Sequence, residues 1–299
     1  MNTPKFQLKI IKDLKDKGLA ESTINNYIRN LELVNDGKKF TNLSFLNDID
    51  KIKEKLSKFK KTTIRNYYAS IVAILSLMKS KATLTKKYEK LLEYQQIQVD
   101  RSSTEIAETQ KDNWPTIDEV KKIDETLSKK DLSIYDNILN YLVFSLYTKT
   151  QPRRNKDYLN MYIVKNIKNI SNDYNYFSID DKVFVFNDYK TKKKYGKQII
   201  NIPDELYDIL IKYIQVYPLT KETEINKPIP LFWGKSINYI TRILNKIFGK
   251  NVGSTILRHV FLTDKYKGGQ INDIEESIKD ANAMAHSIRA QQLTYVKNI

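Results

Sequence analysis

The sequence predicts a mainly α protein of two domains, a helical bundle followed by an α+β domain with a small three-stranded antiparallel sheet. Three observations predict it. Apolar residues recur at helical spacing through most of the chain. A polar, aperiodic stretch, VDRSSTEIAETQKDN over 99–113, breaks that pattern and reads as an exposed linker. The only clear strand-like runs lie beyond it, at Tyr176–Ile179, Lys182–Phe186 and Lys197–Pro203. The boundaries are therefore 1–98 for the first domain, 99–113 for the linker and 114–299 for the second. At 299 residues, 41% of them hydrophobic, the chain has the material for two cores.

In the first domain Phe6, Ile10, Ile11 and Leu14 form one apolar stripe, ended by Gly18. Ser22 reads as the cap of a second helix, which carries Ile24, Tyr27, Ile28, Leu31 and Val34 and is closed by Gly37. A third covers Asp48 to Phe59. The fourth, Thr62 to about Lys79, is the most apolar, and a fifth runs from Leu84 to about Ile97. Beyond the linker, Pro115 and Thr116 open a helix through Leu127, and a buried helix follows from Ile134 to Leu146. Helices resume from Leu206 to Tyr217 and from about Ser236 to the C-terminal end.

The balance of 51 Lys+Arg against 35 Asp+Glu, a net charge of +16, suits a partner rich in phosphate, although a lysine bias of composition gives the same sum. Cysteine is absent and histidine occurs twice, which excludes disulfides, thiolate zinc sites and cysteine nucleophiles, and argues against a multi-histidine metal site. No run approaches the roughly 20 apolar residues that span a bilayer, and the N-terminus lacks the apolar core of a signal peptide, so a soluble, intracellular protein is expected. Eight glycines leave no glycine-rich nucleotide loop.

Two clusters of cations stand out. Lys58, Lys60, Lys61 and Arg65 surround the start of the fourth helix, beside Thr62 and Thr63, where free amides, hydroxyls and cations together can hold phosphate. Lys190, Lys192, Lys193 and Lys194 crowd the turn of the last hairpin. The first cluster is equally readable as a solvated charged turn, and a run of lysines like the second, although it can place an ammonium beside a phosphate, is usually just solvated. Near the C-terminal end Arg258, His286 and Tyr295 follow one another, and a guanidinium, an imidazole and a phenol suit phosphoryl transfer without a metal. Two adjacent arginines, Arg153 and Arg154, follow Pro152 directly behind the buried helix, where a scaffold can hold them rigidly.

These motifs, in this order, resemble the tyrosine recombinases of the phage integrase family, in a form similar to integrases of large DNA viruses and their virophages. The resemblance covers nearly the whole chain. It implies a helical, SAM-like core-binding domain over 1–98 and a catalytic domain over 114–299. It implies a site in which Arg154, with Asp157 three positions on as its brace, and Arg258 grip a scissile phosphate. Tyr295 is then the nucleophile that forms a 3'-phosphotyrosine. Lys190 is the lysine that protonates the leaving 5'-oxygen, with Lys193 as runner-up, and His286 bonds the phosphate or helps take the tyrosine proton. His259 supports the site from a packed position. The implied partners are double-stranded DNA and further copies of the chain, as a tetramer on paired DNA sites; no cofactor and no metal is implied.

Two departures from the family pattern are visible. Thr255 stands where the family has a histidine, and a hydroxyl cannot hold a proton at neutral pH. The sequence ends four residues past Tyr295, so exchange of a tail between protomers is not expected. Two other readings remain open from sequence: a type IB topoisomerase-like enzyme that nicks and reseals one duplex, and a DNA-binding protein with a decayed site.

Overall fold

The computed structural model describes residues 3–103, 105–222, 227–232, 236–266 and 274–297. The chain forms two compact units, Met1–Ser102 and Ser103–Ile299, and is mainly helical with one small sheet. Among the described residues no helix is long and apolar enough to cross a membrane.

The first unit consists of α1 (Lys5–Asp16), α2 (Glu21–Val34), α3 (Ile49–Ser57), α4 (Lys61–Leu75) and α5 (Ala82–Ser103). Each of the first four turns one stripe inward at spacings of three and four: Ile10 and Leu14, then Ile24, Ile28 and Leu31, then Ile52 and Leu56, then Ile71, Ile74 and Leu75. Burying such a side chain contributes roughly 1.5–3 kcal/mol, so these stripes hold the bundle together. The Asp48 side chain caps α3 by accepting from the Lys51 amide at 3.1 Å. Ser22 does not act as a cap. It lies inside α2, whose preceding residue Ala20 has no side chain to offer.

The stretch expected to be an aperiodic linker is partly helical. The helix expected to stop near Ile97 continues as α5 to Ser103, and a short α6 (Glu108–Lys111) follows. Along α5 the Gln96 amide donates to Asp100 Oδ1 at 2.7 Å, a pair one turn apart that supports helix where apolar periodicity has run out.

In the second unit α7 (Ile117–Ser128) is capped by Thr116, whose hydroxyl oxygen accepts from the Glu119 amide at 3.1 Å. The centre is α8 (Tyr135–Thr148), buried along most of its length from Ile138 to Tyr147. A helix apolar on all sides must be surrounded, and α7, α11 (Asp204–Val216), α13 (Tyr239–Phe248) and α14 (Ser254–Lys265) pack around it. Short α9 (Asn155–Leu159) leads into the sheet. The other helices are α10 (Lys192–Tyr195), α12 (Pro218–Glu222), α15 (Ile274–Ala283) and α16 (Ile288–Ala290). Gly249 ends α13 with φ of 64°, the left-handed position that a residue without Cβ adopts freely.

The sheet is mixed and five-stranded, not three-stranded and antiparallel. Its order is β4-β3-β2-β1-β5, built from β1 (Met161–Val164), β2 (Asn175–Ser178), β3 (Val183–Phe186), β4 (Gln198–Asn201) and β5 (Ile229–Pro230). β2, β3 and β4 are the antiparallel trio expected from sequence. β1 joins them parallel to β2, with Met161 opposite Asn175, and β5 pairs antiparallel with β1. Both additions escape a search for alternation: β1 is nearly all buried and so does not alternate, and β5 is two residues long and ends in proline.

Asn175 ties this sheet to the loops that carry the site. Its side-chain amide donates to the carbonyls of Asp157 and Asp188 at 2.8 and 2.9 Å, and its oxygen accepts from the amides of Asn187 and Asp188, each at 2.8 Å. All four hydrogen-bonding positions of a fully buried side chain are thus filled. Asn175→Leu orphans backbone groups on two segments at about 1–3 kcal/mol each. The urea midpoint of the chain is expected to fall accordingly, and an unchanged midpoint shows that these bonds are dispensable.

Candidate active site

The local sequence explains how each group reaches the site. α14 presents Arg258 and His259 in succession, both buried, because Ile256, Leu257, Val260 and Leu262 fix its inner face. The chain then returns through α15 and a turn at Met284–Ser287 that sets His286 beside α14. Tyr295 closes a single π turn, Gln291–Tyr295, in which the Val296 amide reaches the Gln291 carbonyl at 2.9 Å.

Arg258 organises the centre. Its Nη1 donates to the Pro152 carbonyl at 2.7 Å. Its Nη2 lies 3.3 Å from each of three acceptors, the Met284 carbonyl, His286 Nδ1 and the Tyr295 phenol oxygen. The guanidinium carbon sits 5.0 Å from the Tyr295 ring centre. His286 stacks on the same ring at 4.7 Å and 23°, and His259 meets it at 5.0 Å. Behind the ring the backbone is fastened as well: the Tyr295 carbonyl accepts from His259 Nδ1 at 3.1 Å and from the Thr263 hydroxyl at 3.3 Å. Trp114 packs against His259 at 6.1 Å between ring centres.

Arg258, His286, His259 and Tyr295, picked out by sequence, therefore do come together. The first arginine is placed differently from expectation. Asp157 braces Arg153, not Arg154, accepting from its Nε at 3.0 Å with both side chains 1% exposed. Arg153 Nη1 also donates to Gln198 Oε1 and to the Ala283 carbonyl, each at 2.6 Å, and its guanidinium covers the Phe186 and Tyr189 rings. Arg154 is the half-buried residue before α9, and its charge is felt by both Asp157 and His286. Arg153 is thus the structural member of the pair, which leaves Arg154 available to a ligand.

The cationic turn is also less loose than a run of lysines suggests. It folds as α10, and the Thr191 hydroxyl donates to the Ala285 carbonyl at 2.9 Å, one residue from His286. Gln198 at its other end donates to the Asn282 carbonyl at 2.7 Å. Lys190, next to Thr191, is exposed, as are Lys192, Lys193 and Lys194. Lys192 donates to the Asn172 carbonyl, and Lys194 lies over the Tyr195 ring. Thr255 is exposed on the first turn of α14. In the first unit Lys58, Lys60 and Lys61 are exposed around the start of α4, which has no side-chain cap, and Arg65 donates to Gln96 and Asn66.

Sequence reasoning did not find Gln291, Ser277, Gln198 or Thr191. They are small or neutral polar residues with no spacing signature, and only the fold brings them to the charged groups.

Electrostatically the site is a concentration of buried positive charge. Among the described residues the buried side-chain nitrogens without a partner are Arg65 Nε, Arg153 Nη2, Arg154 Nη1 and Arg258 Nε, so three of four belong to this site. Guanidinium donors left unpaired in a buried place call for an anion. Burial is the main cause that lowers both histidines, His286 and His259, to about 4, aided by the Arg258 charge, so both are neutral at pH 7. Burial also raises the Asp157 carboxyl, with Arg153 and Arg154 pulling the other way.

No family model, curated protein or solved structure matches this chain.

The histidine shifts set a pH dependence. Both folded values, about 4, lie below the ordinary 6.5, so the unfolded chain binds protons first as pH falls. Their contribution is whole above pH 6.5 and is lost progressively down to pH 4, at up to about 3 kcal/mol per histidine. Thermal unfolding from pH 7.5 to 4 checks this. His286→Asn and His259→Asn are each expected to flatten the profile in that window, and profiles parallel to wild type refute the assignment.

Proposed function

We propose that the chain cuts and rejoins DNA strands through a 3'-phosphotyrosine, as a site-specific recombinase or integrase acting on double-stranded DNA. The observation that carries this reading is the contact between Arg258 Nη2 and the Tyr295 phenol oxygen at 3.3 Å, beside unpaired guanidinium nitrogens on Arg154 and Arg258. A phenol held against donors that themselves lack an anion is placed to attack the group those donors bind, and a phosphodiester supplies the oxygens they lack.

In this reading Tyr295 Oη attacks phosphorus while Arg154 and Arg258 hold the non-bridging oxygens. The P–O5' bond breaks as the O–P bond to tyrosine forms, and the departing 5'-oxygen takes a proton from Lys190, or from Lys193 on the same turn. His286 bonds the phosphate or takes the phenol proton. The reverse attack by a 5'-hydroxyl of another strand restores the diester and frees the tyrosine, and no energy source is consumed because the phosphotyrosine conserves the bond. The exposed cations at the start of α4 and the net charge of +16 support binding to the DNA backbone. A tetramer on two duplexes is the assembly such exchange requires.

One observation favours a competing reading, a DNA-binding protein whose site has decayed: Thr255 offers an exposed hydroxyl where the resemblance implies an imidazole. A duplex nicked just past the cleavage position, which traps the intermediate by losing the leaving strand, separates the two. Wild type is expected to form a covalent adduct and Tyr295→Phe none. Arg258→Ala, or Arg154→Ala, is expected to bind DNA but to cleave on the order of a thousand-fold more slowly. No adduct with wild type establishes the decayed reading. Relaxation of supercoils without recombinant products instead assigns a topoisomerase-like cycle of nicking and resealing.

DNA affinity of the intact chain is expected to fall steeply with salt, and to fall less steeply once Lys58, Lys60 and Lys61 are replaced by alanine. An unchanged salt slope removes those lysines from the DNA interface.

A further inference from the structure

The hydrogen-bond donors around His286 decide which of its nitrogens carries the proton. Arginine has donors only, so Arg258 Nη2, 3.3 Å from His286 Nδ1, requires a lone pair there. A neutral imidazole with a bare Nδ1 is protonated at Nε2, and that nitrogen lies 3.1 Å from Gln291 Oε1. The oxygen end of the amide must face the ring to accept, which turns the Gln291 amide nitrogen toward Ser277 Oγ at 2.9 Å. The chain Arg258–His286–Gln291–Ser277 is thus consistent in one direction only, and Gln291 and Ser277 are 0% and 1% exposed.

We propose that Gln291 is a positioning residue that locks His286 in the Nε2–H tautomer, so that the imidazole presents an acceptor, not a donor, to the nitrogen shared with the Tyr295 oxygen. This rests on the strand-cleaving role of Tyr295 for its consequence, and there it narrows the part His286 plays. With its lone pair turned to Arg258, Nδ1 does not donate to the phosphate, and the imidazole instead holds the guanidinium nitrogen that contacts the Tyr295 oxygen at 3.3 Å. The same residue also begins the π turn that ends at Tyr295, since the Gln291 carbonyl accepts from the Val296 amide at 2.9 Å. One side chain and its own backbone therefore set the orientation of the imidazole and the position of the phenol.

The test is nuclear magnetic resonance of the intact chain labelled with 15N-histidine, with His259→Gln used to tell the two imidazoles apart. At neutral pH wild-type His286 is expected to show a protonated Nε2 and a bare Nδ1; a protonated Nδ1 overturns the proposal without any variant having to fold. Gln291→Leu is expected to mix the tautomers and, by loosening the guanidinium that touches the Tyr295 oxygen, to slow adduct formation at saturating DNA by about a hundred-fold, with DNA affinity unchanged. A His286 spectrum identical to wild type in Gln291→Leu also overturns it. The two readings fail separately: the expected tautomer with no DNA adduct keeps the positioning role and sinks strand cleavage, whereas an adduct with the opposite tautomer does the reverse.

Discussion

A buried guanidinium without a carboxylate is the constraint around which the second unit is built. Arg258 is 2% exposed, and among the described residues it has no ion-pair partner. Its charge is met by the ends of neutral dipoles, two backbone carbonyls, an imidazole nitrogen and a phenol oxygen. Taking an ion out of water costs several kcal/mol even after relaxation, and dipoles offset that only when each is aimed. The surroundings show the aiming: Pro152 between α8 and α9, Met284 and His286 on one turn, and Tyr295 on another are all brought to a single side chain. Among the described residues two buried carboxylates lie nearby, and both are committed elsewhere, Asp157 to Arg153 and Asp280 to Lys265. The guanidinium is thus held by aimed dipoles, with its Nε left unpaired.

The supporting bonds extend outward from that cation. Arg153 ties the segment before α9 to Gln198 on β4 and to Ala283 at the end of α15, and Thr191 ties the lysine-rich turn to Ala285. Asn175 fixes β2 against the loops on either side. The sheet therefore serves as a frame that keeps the cationic turn in register with the His286 segment. Lysines on such a turn keep their long, mobile side chains while the backbone beneath them is held.

Much of this was legible in the chain itself. Helices announced by three-and-four spacing, such as α2, α4 and α8, lie close to where the pattern puts them, and Arg258, His286 and Tyr295 do meet. The errors have physical causes. A spacing rule favoured Arg154 as the partner of Asp157, but the turn entering α9 brings Arg153, four positions away, to the carboxylate instead. β1 shows no alternation because it is nearly all buried, and the polar end of α5 is held by a side-chain bond that hydrophobic periodicity does not register. Gln291 had no signature at all: an amide becomes informative only when its neighbours fix which end points where.

The π turn that carries Tyr295 belongs to the same chain as the arginine it touches. The Tyr295 carbonyl is bound to His259 and Thr263 of α14. Arg258, His286, His259 and Tyr295 thus meet within one copy of the chain. Under the proposed strand cleavage, a copy stripped of the phenol and a copy stripped of the Arg258 guanidinium each carry a broken site, and mixing the two is not expected to restore it by complementation.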